Sequence, residues 1–253
     1  RNSEYLSHQS SWKKSVFEVY KDASINLEWD YELKSTCEEF GVEYLTSPYD
    51  LELVDHVDEF VRAFKIGSGD ITWIENIKKI ASKGKPVILA CGASNYNEIV
   101  RAVEVILKSN SQLSILQCNT NYTGNKNNLD YINLNVLKTL KNMYPQIIVG
   151  LSDHTPGHAT AVGAVALGGR IIEKHFTDDN SRVGPDHRFA MNPKTWKQMV
   201  EVVRELERAL GNGIKKVENN EKNTVIIQRR SLRAKKKILK GHKLLFKDVS
   251  CLR

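Results

Sequence analysis

Apolar and polar residues alternate along the chain in two rhythms. Strand-like apolar runs recur at residues 43–47, 63–67, 86–90, 113–117, 147–151 and 170–174. Their starts lie about 20 to 35 residues apart, the length of one strand-plus-helix unit, which predicts a parallel sheet with helices outside it. The intervening segments are amphipathic at helical spacing. Ile99, Val100, Val103, Ile106 and Leu107 make one stripe, and Trp196, Met199, Val200, Val203, Leu206 and Leu210 another. The second stripe opens at Asn192-Pro193, a cap followed by proline at the first helical position, and stops at Gly211.

An open doubly wound sheet and a closed (β/α)8 TIM barrel both fit alternating units. The polar residues favour the barrel, because every apolar run ends in small or reactive residues. These are Ser47-Pro48-Tyr49-Asp50, Gly67-Ser68-Gly69-Asp70, Cys91-Gly92-Ala93-Ser94, Cys118-Asn119-Thr120-Asn121-Tyr122, Ser152-Asp153-His154 and His175-Phe176-Thr177. A ring of strand ends around one cavity uses all six, whereas an open sheet uses mainly its switch point. Eight strands would need two more before Arg1. The expected organisation is an N-terminally incomplete barrel domain over 1–211, a linker over 212–227 and the start of a second small domain over 228–253.

Composition narrows the partners. At 253 residues with 41 % hydrophobic and 26 % charged content, the chain can bury a full core. The net charge of +7 suggests nucleic acid only until it is located: residues 214–253 carry +10 and the rest −3. That basic tail has one aromatic, Phe246, so stacking platforms for bases are absent and no nucleic-acid partner is expected. No apolar run approaches the roughly 20 residues of a membrane span, and Arg1-Asn2-Ser3-Glu4-Tyr5 does not read as a signal peptide. Four cysteines without a CxxC pair fit free thiols and a cytoplasmic setting.

Histidines carry the strongest chemical signal. His154 and His175 each end a strand-like run, in consecutive units. On adjacent parallel strands both imidazoles would emerge at the same end, close enough to share one divalent metal, although a structural role is open to each alone. His158, His187 and His242 have no such partner and read as structural or substrate-edge residues. Lys65-Ile66-Gly67-Ser68-Gly69 places an ammonium at a strand end before a glycine-flanked serine, which suits an anion or an ordinary tight turn. An uncompensated interior lysine would be costly, and this tilts the reading towards an anionic ligand. Gly184-Pro185-Asp186-His187 could hold a polyol or simply turn the chain. Cys91 and Cys118 lack an adjacent base and read as packing.

With these segments assembled, the chain resembles the sialic acid (N-acetylneuraminate) synthase family over essentially its whole length. The resemblance rests on the Lys65–Gly69 segment, Gly150-Leu151-Ser152-Asp153-His154-Thr155, Ala164-Val165-Ala166-Leu167-Gly168-Gly169, Glu173-Lys174-His175-Phe176-Thr177, Gly184-Pro185-Asp186, Met191-Asn192-Pro193 and Arg229-Arg230-Ser231-Leu232. It implies a TIM barrel followed by an antifreeze-like (SAF) domain, in a domain-swapped homodimer. The implied reaction condenses phosphoenolpyruvate with N-acetylmannosamine or a related N-acyl amino sugar, releasing phosphate. His154 and His175 would then hold Mn2+, with Mg2+ or Co2+ as substitutes. Lys65, Ser68 and Ser152 would bind phosphoenolpyruvate, Asp186 the sugar hydroxyls, and Tyr122 would line the cavity. Arg253 would reach into the partner subunit's site.

Two segments depart from the family pattern. Ala90-Cys91-Gly92-Ala93 stands where Ser-Thr-Gly-Met is common, with Ser94 as a substitute hydroxyl, and Cys118-Asn119-Thr120-Asn121-Tyr122-Thr123 replaces Cys-Thr-x-x-Tyr-Pro. The family's glutamate on the first strand and lysine on the second would precede Arg1, and a polypeptide lacking both is expected to be inactive. Two rival readings stand beside the leading one: a legionaminic acid-type synthase taking a 2,4-diacetamido-6-deoxy hexose, and a non-catalytic sugar- or anion-binding protein.

Overall fold

The computed structural model describes residues 15–184 and 186–253. Arg1 to Tyr5 and Pro185, which entered the readings above, lie outside the described residues. The chain divides into two units, Arg1–Ala209 and Leu210–Arg253.

The described part of the first unit opens with three helices, α1 (Val16–Ala23), α2 (Trp29–Glu39) and α3 (Leu51–Asp58). Strands and helices then alternate: β1 (Phe64–Ile66), α4 (Ile74–Ser82), β2 (Val87–Ala90), α5 (Tyr96–Leu107), β3 (Leu113–Cys118), α6 (Val136–Met143), β4 (Ile148–Asp153), α7 (Ala159–Ala166), β5 (Ile171–Lys174) and α8 (Pro193–Leu210). The five strands are parallel and lie side by side in chain order. A doubly wound sheet would reverse its order at a switch point. These strands do not, and they form half a barrel. Of the six expected strands, 43–47 is reduced to a single bridge, Thr46 to Phe64. Leu45 on this segment is exposed, while Tyr44 is half-buried and packs against the core.

Local chemistry accounts for the helix starts. Asn95 Oδ1 accepts from the backbone N–H groups of Asn97 and Glu98 at 2.9 and 3.2 Å, while the Asn95 N–H donates to Glu98 Oε2 at 2.8 Å; this reciprocal pair opens α5. Asn192 Oδ1 accepts from Thr195 N–H at 3.0 Å, so the expected cap before Pro193 is in place. The core lies between strands and helices. Phe64, Leu89, Ile115 and Leu151 of the sheet meet Ile77, Ile80, Ala102, Ile106, Leu137 and Leu140, all fully buried. Each large apolar side chain so enclosed contributes about 1.5–3 kcal/mol. Gly150 lets β4 and β5 come together: a Cβ there would overlap the Ile171 carbonyl and stand 2.7 Å from Leu116 Cδ2.

In the second unit, β6 (Ser231–Ala234) pairs antiparallel with β7 (Val249–Leu252) after α9 (Lys222–Gln228). Residues 212–227, expected as a linker, include the turn Asn219–Glu221 and most of α9. Asp248 is fully enclosed and faces His242 Nε2 at 2.8 Å and Lys236 Nζ at 3.0 Å, while accepting from the Leu245 N–H at 3.0 Å. Those donors hold its carboxyl well below the usual carboxylate range, His242 contributing most. Among the described residues no helix is long and apolar enough to cross a membrane.

Candidate functional site

β4 and β5 end together, with Asp153 and Lys174 as register partners. The next residue on each chain is a histidine, and successive side chains of a strand point to opposite faces. His154 and His175 therefore converge, with ring centroids 5.1 Å apart. Tyr122, from the segment after β3, lies 4.1 Å from the His154 ring and 5.8 Å from the His175 ring. Phe189 lies 5.2 Å from His175 and 6.3 Å from His154. With Tyr122 and Phe189 6.4 Å apart, the two imidazoles and the two aromatic rings form one cluster.

Their hydrogen bonds determine which nitrogen is available. His154 Nδ1 is 2.7 Å from the Asn119 carbonyl oxygen; a carbonyl only accepts, so Nδ1 carries the proton and Nε2 keeps its lone pair. Burial outweighs that hydrogen bond and holds the ring below its ordinary pKa, so the neutral form persists into mildly acidic solution. His175 Nδ1 faces Asp186 Oδ2 at 3.3 Å, which likewise directs the proton to Nδ1. Imidazoles that present Nε2 while an oxygen acceptor orients Nδ1 suit a divalent metal, and in this respect the pair fits one. No group of three His, Cys, Asp or Glu side chains with ligand spacing occurs among the described residues. The pair alone would leave coordination positions open to substrate oxygens.

Deeper in the half-barrel is the lysine cluster. Lys65 on β1 meets Glu173 on β5, Nζ to Oε1 3.1 Å. The premise of an uncompensated interior lysine therefore fails, because Glu173 supplies its counter-charge. The other carboxylate oxygen, Glu173 Oε2, is buried without a hydrogen-bond partner. Ser68 Oγ accepts from the Gly92 N–H at 2.9 Å, and the hydroxyls of Ser68 and Ser152 both reach the Cys118 thiol. Gly92 has to be glycine here, since a Cβ would stand 2.9 Å from both Ser68 Oγ and Cys118 Sγ. Lys65, Ser68 and Ser152 are thus brought to one place around Cys118 and Glu173. Burial pushes the Cys91 thiol up to about 12, as the packing role requires.

Sequence reasoning did not select Glu173 or Asp70 as site residues. Glu173 had a usable signal: it lies two residues before His175 and hence on the same strand face. Asp70 ends the short turn Ser68–Asp70, and burial raises its carboxyl above the ordinary value against the pull of Lys65. Ser94 is no spare hydroxyl, because its Oγ donates to the Cys91 carbonyl at 2.7 Å. His187 Nδ1 pairs with Thr177 Oγ1 at 2.7 Å, and Asn180 Nδ2 donates to the carbonyls of His187 and Ala190 at 2.8 Å each. These bonds hold the loop that carries Asp186. Arg253 ends the second unit and is exposed. A cleft lined by Lys34, Tyr44, Phe60, Arg62 and Lys85 opens at the N-terminal ends of the strands, the end that barrels use for stability rather than chemistry.

Residues 1–215 match the NeuB family. The chain belongs to that family. A NeuB protein of this kind is an enzyme of the sialic acid synthase type. The chain is 39 % identical over 242 residues to an uncharacterised protein of Methanocaldococcus jannaschii, covering 95 % of this chain and 71 % of that one. It is 37 % identical over 232 residues to the N,N'-diacetyllegionaminic acid synthase of Campylobacter jejuni, covering 90 % and 68 %. Among solved structures, the N-acetylneuraminic acid synthetase of Leptospira borgpetersenii, in complex with citrate, superposes with a TM-score of 0.76 at 29 % identity, covering 83 % of this chain and 73 % of that one.

Proposed function

We propose that this NeuB enzyme condenses phosphoenolpyruvate with the open-chain aldehyde of an N-acyl amino sugar and releases phosphate. The observation that carries the reading is the convergence, on neighbouring strand ends, of two Nε2-presenting histidines beside a lysine–serine cluster. When bound, a divalent metal such as Mn2+, held by His154 and His175, supplies Lewis-acid polarisation of the acceptor's aldehyde oxygen. Lys65 places a positive charge at the donor phosphate, with the Ser68 and Ser152 hydroxyls beside it. Asp186 orients His175 through Nδ1 and turns its other oxygen to acceptor hydroxyls. Tyr122 and Phe189 flank the imidazole pair and offer an apolar surface for acyl or deoxy carbons.

N-acetylmannosamine is the first acceptor under this reading. A 2,4-diacetamido-6-deoxy hexose is the second, favoured by the 37 % identity to the Campylobacter jejuni enzyme. The half-barrel would belong to an eight-stranded closed one, the second unit would be an antifreeze-like domain, and Arg253 would serve the partner's site in a cytoplasmic homodimer. The test is phosphate release from phosphoenolpyruvate with each acceptor, with and without Mn2+. Metal-dependent release with one amino sugar is the expected result. No release with either acceptor, by a protein that carries the whole barrel, would overturn the proposal.

A further inference from the structure

Behind the two histidines, on the opposite strand face, lies a second cluster that is closed to solvent. Asp153 and Lys174 each precede a histidine by one residue, and they face each other across β4 and β5. Their side chains are 0 % and 1 % exposed, and Lys174 Nζ meets Asp153 Oδ2 at 2.5 Å. Lys174 Nζ also donates to the Thr155 carbonyl at 2.8 Å. Thr155 donates to Asp153 through its hydroxyl, 2.9 Å from either carboxylate oxygen, and through its backbone N–H at 3.0 Å. From α7, Thr160 Oγ1 donates to Asp153 Oδ2 at 2.5 Å.

An enclosed ion pair contributes little net stability, because both charges are stripped of water, so its use lies in the geometry it specifies. The position of this pair gives that use. The ladder between β4 and β5 runs from Gly150 with Ile171 to Asp153 with Lys174 and stops there. Asp153–Lys174 is the last register pair of that ladder, directly before His154 and His175. An apolar pair at this position would leave the two ends free to separate.

We propose that Asp153 and Lys174 are positioning residues that hold His154 and His175 at the spacing one divalent ion requires, with Thr160 fixing the pair to α7. The proposal rests on the metal reading of the two histidines, and its test separates the two. The informative variant is Asp153→Asn with Lys174→Met, which removes the tie without leaving a lone buried charge. Mn2+ is titrated into the full chain and free Mn2+ is read by electron paramagnetic resonance, alongside the melting temperature of the metal-free protein. Mn2+ binding is expected to weaken about 10- to 100-fold, the range for groups that orient metal ligands. Wild-type affinity in a folded variant overturns the proposal, whatever happens to the melting temperature.

A second readout needs no metal. In the metal-free protein, the ring nitrogen resonances of His154 and His175 are expected to shift and broaden in the double variant; unchanged resonances overturn the proposal. If the wild-type chain itself binds no Mn2+, the metal reading fails and the ring resonances alone decide the positioning role. If the double variant does not fold, Thr160→Val removes the hydroxyl that bonds Asp153 and Thr155 in the same tie. Mn2+ binding about fivefold weaker is then expected, and wild-type binding again overturns the proposal.

Discussion

Single side chains acquire their roles here from the partner on their far side. His154 is a candidate ligand because the Asn119 carbonyl takes the proton of Nδ1, and His175 because Asp186 stands at its Nδ1. Replacing either imidazole removes one of two donors while leaving the strand ladder intact. His154→Ala and His175→Ala are each expected to fold, to lose measurable Mn2+ binding by titration, and to lose about a thousandfold in turnover. Wild-type Mn2+ affinity in either variant would show that the ring is structural. The pairing of the histidines was readable from spacing, since each ends an apolar run. Glu173 as counter-ion to Lys65 was not, because that contact joins β1 to β5 across more than a hundred residues of chain.

At the scale of elements, the site depends on how closely β4 and β5 approach. Gly150 sets that approach, with no room for a Cβ against the Ile171 carbonyl. Gly150→Ala would push the strands apart below the Asp153–Lys174 link and is expected to cost about 1–3 kcal/mol. Urea unfolding followed by tryptophan fluorescence measures that cost, and an unchanged midpoint would show that the strands slide without strain. Five of the six strands and helices α5 and α8 were legible in the apolar pattern, because their inward positions repeat, and the cap Asn192 before α8 is local; the Asn95 cap of α5 came only with the structure. The segment at 43–47 was misread for the opposite reason. Its alternating residues look strand-like in isolation, yet Leu45 is exposed, Tyr44 packs on the core without a ladder partner, and only Thr46 joins the sheet.

At the scale of the whole molecule, the two units respond differently to acid. His154 titrates below its ordinary value in the fold, so an unfolded chain binds its proton first; the first unit is expected to lose stability as pH falls below about 6.5. Asp248 titrates below its ordinary value as a carboxylate. Its stabilisation of the second unit is present above about pH 4 and is lost as pH falls further. All four tryptophans precede residue 210, so their fluorescence reports the first unit, while amide exchange along β6 and β7 reports the second. Coincident acid transitions by the two probes would refute this assignment. The sequence by itself determined the alternation of strands and helices, the positions of the two histidines and the basic bias of the tail, because each depends on neighbours within a few tens of residues. Only the tertiary structure decided the counter-charge of Lys65, the proton positions on the imidazoles and the buried tie behind them. Those depend on contacts between chain-distant groups, which no local pattern encodes.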